Sequence, residues 1–112
     1  MPNYTPDRGD IVFANLSPQA GTEMAGPHPC LVLSERRFSV ATGWMVGCPI
    51  TSKVKGSPFE VVLPPGLRTR GCVAASEIRT QDYIKREARY VETAPLSLVQ
   101  SVQGIACAVI GC

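Results

Sequence analysis

His28 is the single histidine of the chain, and Thr51-Ser52 is its one Thr-Ser pair. Lysines and arginines are grouped around the second of these, at Lys53, Lys55, Arg68, Arg70, Arg79, Lys85 and Arg86. An imidazole exchanges a proton near neutral pH, a hydroxyl donates a hydrogen bond to an anion, and a cationic side chain neutralises one. One substrate class needs only those three things. RNA carries its own nucleophile, the ribose 2′-hydroxyl. Cutting it takes a base for that proton, an acid for the departing 5′-oxygen and donors for the crowded phosphate. The products of such a reaction are a 2′,3′-cyclic phosphate and a 5′-hydroxyl, and no metal is required.

Other chemistries lack their parts. Five cysteines, Cys30, Cys48, Cys72, Cys107 and Cys112, form no C-x-x-C pair, and with one histidine there is no metal-ligand spacing. Free, mostly buried thiols are expected, with no metal and no cofactor. The chain has no G-x-x-x-x-G-K-[ST] loop, no G-x-G-x-x-G and no G-x-S-x-G elbow.

The elements that must position these residues come from 112 residues and 12.0 kDa, the size of one domain spanning residues 1–112. Hydrophobic residues at 45% and charged residues at 18% are enough to bury a core. The net charge is +2 and uneven. Residues 1–35 carry an excess of three negative charges, residues 36–92 an excess of five positive ones, and the last twenty residues none. A basic middle attracts phosphate backbones, although it equally suits a solvated surface. No apolar run reaches the roughly 18 residues of a membrane span, and Met1 to Asp10 is polar, so a cytoplasmic protein without a membrane partner is expected.

Alternation around Ile11 and Phe13 predicts a strand at Asp10–Leu16 and a near-continuous apolar run predicts a buried one at Pro29–Ser34; further strands are expected at Trp44–Ile50, Phe59–Leu63 and Cys72–Ile78, separated by turn formers. Trp44 and Phe59 fall within them as core candidates. The Gly/Pro-rich segment from Ser17 to Pro29 reads as an exposed functional loop. Leu98, Val99, Val102, Ile105, Ala106 and Val109 recur at helical spacing behind Thr93 as a cap and Pro95 at an early helical position. The expected fold is mainly β, a small barrel with a C-terminal helix. That helix carries no charge and so has no strongly solvated face. It should be covered on most sides, by the sheet and by a second subunit.

Three ordered blocks resemble the MazF/PemK toxin family. The first is Arg8-Gly9-Asp10-Ile11-Val12, Ser17-Pro18, Gly21-Thr22-Glu23 and Gly26-Pro27-His28-Pro29 running into Leu31-Val32-Leu33-Ser34. The second is Cys48-Pro49-Ile50-Thr51-Ser52 followed by Gly56-Ser57-Pro58-Phe59-Glu60-Val61-Val62-Leu63, and the third is Gly71 to Asp82 with Ile78-Arg79-Thr80. The resemblance implies a homodimer of SH3-like, CcdB-like barrels. It further implies a metal-independent, sequence-selective endoribonuclease that cuts single-stranded mRNA, and an antitoxin whose acidic and apolar tail fills the RNA groove.

Carried over position by position, the resemblance makes Thr51 the catalytic threonine and puts Glu23, Lys53, Ser76, Glu77 and Arg79 at the RNA. This chain also departs from the family pattern. His28-Pro29 stands where the family usually has Arg-Pro, Met24 follows Glu23 where Gln is usual, and Ser76-Glu77 replaces Asp-Gln. A fixed cation has become a titratable group. Either the imidazole takes over as base or acid, or His28 satisfies a backbone carbonyl and the nuclease is weakened. In the second case a binding module that captures antitoxin, or a CcdB-like gyrase poison, is the alternative. Thr51 could equally hydrogen-bond its own turn, and Arg79 could pair with Glu77 as a surface ion pair.

Overall fold

The computed structural model describes residues 4–16 and 26–112. Alternating side chains explain its centre. Ile11, Leu31, Cys48, Ile50 and Val73 point to one side of a sheet, and Val12, Ala14, Cys30, Val32 and Met45 form a cluster on the other. Both sides are buried, which is why Pro29 to Ser34 reads as a nearly unbroken apolar run rather than an alternation.

The strands are β1 (Asp10–Leu16), β2 (Gly26–Val32), β3 (Trp44–Thr51), β4 (Glu60–Val62), β5 (Cys72–Ala74), β6 (Arg79–Asp82) and β7 (Arg89–Thr93). Their order is β4-β5-β3-β2-β1-β7, with β6 also paired to β3, and every pairing is antiparallel. The hairpin β1–β2 runs from Ile11 opposite Leu31 to Leu16 opposite Gly26. Beside its pairing with β2, strand β3 serves two further partners in turn: Trp44–Gly47 pairs with β6, while Ile50 and Thr51 pair with β5. Switching partners along one strand curls the sheet into a barrel-like shape.

Two helices complete the fold, α1 (Arg36–Thr42) and α2 (Leu96–Ile110). Helix α2 seals the first side of the sheet with Leu98, Val99, Val102 and Ala106. Each of the larger three contributes about 1.5–3 kcal/mol by leaving water. Helix α1 begins without a side-chain cap of its own. The Asp7 carboxylate instead accepts the Arg36 N–H at 2.8 Å.

The structure changes several sequence-based expectations. Strand β2 starts at Gly26 rather than Pro29, which moves His28 from a loop onto a strand. The strand predicted over Cys72–Ile78 stops at Ala74, whose carbonyl accepts the Glu77 N–H in a turn at 3.0 Å. Thr93 ends β7 instead of capping α2; Pro95 is the cap residue, and its carbonyl accepts the N–H of Leu98 at 3.0 Å. Trp44 and Phe59 are not core residues, being 51% and 47% exposed.

Candidate functional site

His28 and Thr51 meet because β2 lies beside β3. The His28 ring Nδ1 is 3.4 Å from the carbonyl oxygen of Ile50, the residue before Thr51. A carbonyl only accepts, so this contact selects the tautomer with the proton on Nδ1 and leaves Nε2 with a lone pair able to take a proton. Pro27 and Pro29 flank His28 and restrict its backbone on both sides.

Thr51 ends β3, where its hydroxyl oxygen accepts the Lys53 N–H at 3.1 Å. That bond turns the chain outward and starts the loop carrying Lys53 and Lys55. The far end of the loop is tied by Glu60, the first residue of β4. Its Oε1 accepts N–H groups from Lys55, Gly56 and Ser57 at 3.1, 2.9 and 3.2 Å. Gly71, at φ +113, sits so close to Thr51 that an added Cβ would fall 2.0 Å from the Thr51 carbonyl oxygen.

These segments enclose a cavity of about 300 Å³. His28 and Thr51 line it together with Lys53, Lys55, Glu60 and Glu77. Of the residues singled out in the sequence, the structure therefore unites His28, Thr51, Lys53 and Glu77. Arg79 and Ser76 do not line this cavity. Ser76 is exposed in the turn after β5. The Arg79 side chain is only 14% exposed and pairs with Glu77 at 3.4 Å, so it reaches the cavity through that carboxylate. Its positive charge also lowers the Cys30 and Cys48 thiols, against a larger upward push from burial. Glu23 and Met24 lie outside the described residues.

Sequence reasoning named Lys55 and Glu60 but did not assign either to the site. The signal was present in Lys55-Gly56-Ser57, where a turn with unpaired N–H groups is followed three residues after Ser57 by a carboxylate that can accept them.

A larger cleft of about 660 Å³ is lined by Tyr4, Phe13, Asn15, Pro27, Arg86 and Tyr90, among others. The Arg89 guanidinium stands over the Phe13 ring at 5.9 Å. Pro27 faces this cleft and His28 the smaller cavity, as expected for neighbours on a strand. This cleft is roomier than the His28–Thr51 cavity, but the proton-exchanging group and the hydroxyl are in the smaller one. Among the described residues, no three His, Cys, Asp or Glu side chains group as metal ligands.

Comparison with known proteins agrees over nearly the whole chain. Residues 7–110 match the family described as PemK-like, MazF-like toxin of type II toxin-antitoxin system. The endoribonuclease toxin MazF of Escherichia coli K12 is 38% identical over 77 residues, covering 69% of this chain and 68% of that protein. The endoribonuclease PemK of Escherichia coli is 32% identical over 102 residues, covering 88% and 77%. The crystal structure of MazF from Deinococcus radiodurans superposes with a TM-score of 0.95 at 41% identity, covering 98% of this chain and all of that one. A MazE-MazF crystal structure from the same organism gives 0.88 at 41% identity, covering 97% and 98%.

Proposed function

The chain belongs to the PemK-like, MazF-like endoribonuclease toxins of type II toxin-antitoxin systems, and from this premise we propose that it cuts single-stranded mRNA sequence-selectively in the His28–Thr51 cavity. The observation that carries the reading is the convergence of an imidazole, a hydroxyl and two ammonium groups from β2, the end of β3 and the loop after it.

In this reading Nε2 of His28 removes the 2′-hydroxyl proton. The ribose oxygen attacks the adjacent phosphorus, the P–O5′ bond breaks, and the leaving oxygen collects a proton, from the imidazolium or from water. The products are a 2′,3′-cyclic phosphate and a 5′-hydroxyl. Thr51 donates its hydroxyl hydrogen to a non-bridging phosphate oxygen while continuing to accept the Lys53 N–H. Lys53 and Lys55 supply the fixed positive charge that the family draws from arginine. Arg79, through Glu77, sets the charge on the cavity wall. Glu23, Ser76 and Glu77 belong to the surface that contacts RNA.

The likeness to MazF within MazE-MazF complexes supports an antitoxin partner for this chain. In this reading an acidic and apolar tail of that partner meets Lys53 and Lys55 at the cavity. A homodimer follows from the same family reading. It is supported by the exposure of Leu96, Val109 and Ile110 on a helix that has no charged residue.

The test is end-mapping of a mixed RNA pool incubated with purified protein in EDTA. Cleavage at a recurring short motif is expected, leaving 5′-hydroxyl ends that polynucleotide kinase labels directly and 2′,3′-cyclic phosphate ends that resist poly(A) tailing until the phosphate is removed. RNA left intact by a correctly folded dimer would overturn the reading. Antitoxin capture or gyrase inhibition without cutting would then favour the binding-module alternative.

A further inference from the structure

Three of the five cysteines are buried and two are not. Burial pushes the Cys30 and Cys48 thiols up to about 12, which keeps them protonated and unreactive. Cys107 and Cys112 stand at the outer end of α2, one half-buried and the other exposed.

The way the helix stops brings this second pair together. Gly111 adopts the left-handed conformation, φ +84, and turns the chain back over the last helical turn. The N–H of Cys112 then donates to the Cys107 carbonyl at 3.0 Å, and the Gly111 N–H shares the same acceptor at 2.8 Å. This six-residue closure is the one in which the residue beyond the glycine contacts the side chain at its start, usually through two apolar groups. Here both positions are cysteines. The Cys107 thiol is raised, first by a hydrogen bond with the Cys112 side chain, then by burial and by the Cys112 charge.

We propose that Cys107 and Cys112 form a reversible modification site, a dithiol that a low-molecular-weight disulfide such as oxidised glutathione converts into an intrachain disulfide. The Cys112 thiolate attacks one sulfur of the oxidant, whose S–S bond breaks and releases the first glutathione thiolate. Cys107 gives its proton to solvent, attacks the Cys112 sulfur and expels the second glutathione. Two protein thiols lose two electrons and two protons, and the small disulfide gains both to become two thiols. The turn already holds the partners at short range, so closure needs little backbone movement. It fixes the intervening Val109 and Ile110, which are apolar and exposed.

The experiment places native protein in glutathione buffers of rising oxidised fraction, followed by acid quench, alkylation and trypsin digestion. The peptide beginning at Tyr90 contains both of these cysteines and no other. It should lose two hydrogen masses and both alkyl groups, and dithiothreitol should restore it. Gly111→Ala keeps both thiols but disfavours the turn, so the disulfide should need at least a tenfold more oxidising buffer. A lasting glutathione adduct on Cys112, an interchain disulfide on a non-reducing gel, or equal closure in Gly111→Ala would each overturn the proposal.

Discussion

Gly71 and Thr51 are matched backbone to backbone: a Cβ at position 71 would lie 2.0 Å from the Thr51 carbonyl oxygen and 2.8 Å from its carbonyl carbon. No side-chain rotation relieves that clash, and the φ of +113 is itself unfavourable for alanine. Gly71→Ala is expected to cost about 2–4 kcal/mol in urea unfolding, combining strain with overpacking. Because the strain falls on Thr51, cleavage should drop further than the folded fraction does. An activity loss matching the unfolded fraction would leave Thr51 without this support.

His28 provides the sharpest kinetic test. Alanine offers no group to take the 2′-hydroxyl proton, so His28→Ala should lower the rate about 10²–10⁴-fold with circular dichroism unchanged. His28→Arg installs a permanent cation that cannot accept that proton, so it too should cut more slowly than the natural chain. An unchanged rate in both variants would put position 28 outside the chemistry.

Glu60 acts on the reaction through the loop that it ties. Glu60→Ala releases the N–H groups of Lys55, Gly56 and Ser57 and loosens Lys53 and Lys55 beside the cavity. Those groups can turn to water, so stability should fall by only about 1 kcal/mol. The cleavage rate should fall by about tenfold to a hundredfold, since small misplacements near a reacting centre are costly. RNA affinity should hold or improve, because a negative charge has left the cavity. A weaker KM with an unchanged kcat would contradict this division.

Acid stability should depend on Glu92. Burial acts to raise its carboxyl, but the Thr69 hydroxyl and the N–H groups of Arg68 and Thr69 outweigh it and hold the group below the ordinary 4.5. A carboxyl lower in the folded than in the unfolded chain stabilises fully above the unfolded value. That contribution disappears as pH falls through the folded one. The Tm difference between the natural chain and Glu92→Gln should therefore be largest near neutrality and close as pH falls from the ordinary 4.5 through the lowered folded-state value.

Much of this was legible in the residues because burial wrote it there. The alternation around Ile11 and Val12, the run at Cys30 to Val32 and the helical spacing from Leu98 to Ala106 all mark surfaces that must leave water. Strands β6 and β7 were not legible. Of Arg79–Asp82 only Gln81 is buried, and of Arg89–Thr93 no residue is; both segments extend because β3 and β1 offer them hydrogen bonds. Helix α1 was hidden for a related reason, its first turn being served by Asp7 from far back in the chain. At the site, His28 and Thr51 stood out by residue type and motif. Glu60 did not, since its work is to hold backbone groups that carry no signature in the side-chain pattern.

Helix α2 is held to the sheet by apolar contact and by a hydrogen bond that the Arg8 guanidinium donates to the Gln103 side chain, and no ion pair among the described residues involves it. Mobile ions in solution thus have little to shield along that seam. Raising potassium chloride should dislodge a bound oligonucleotide long before it loosens the fold, so capture and architecture answer to separate controls in one molecule.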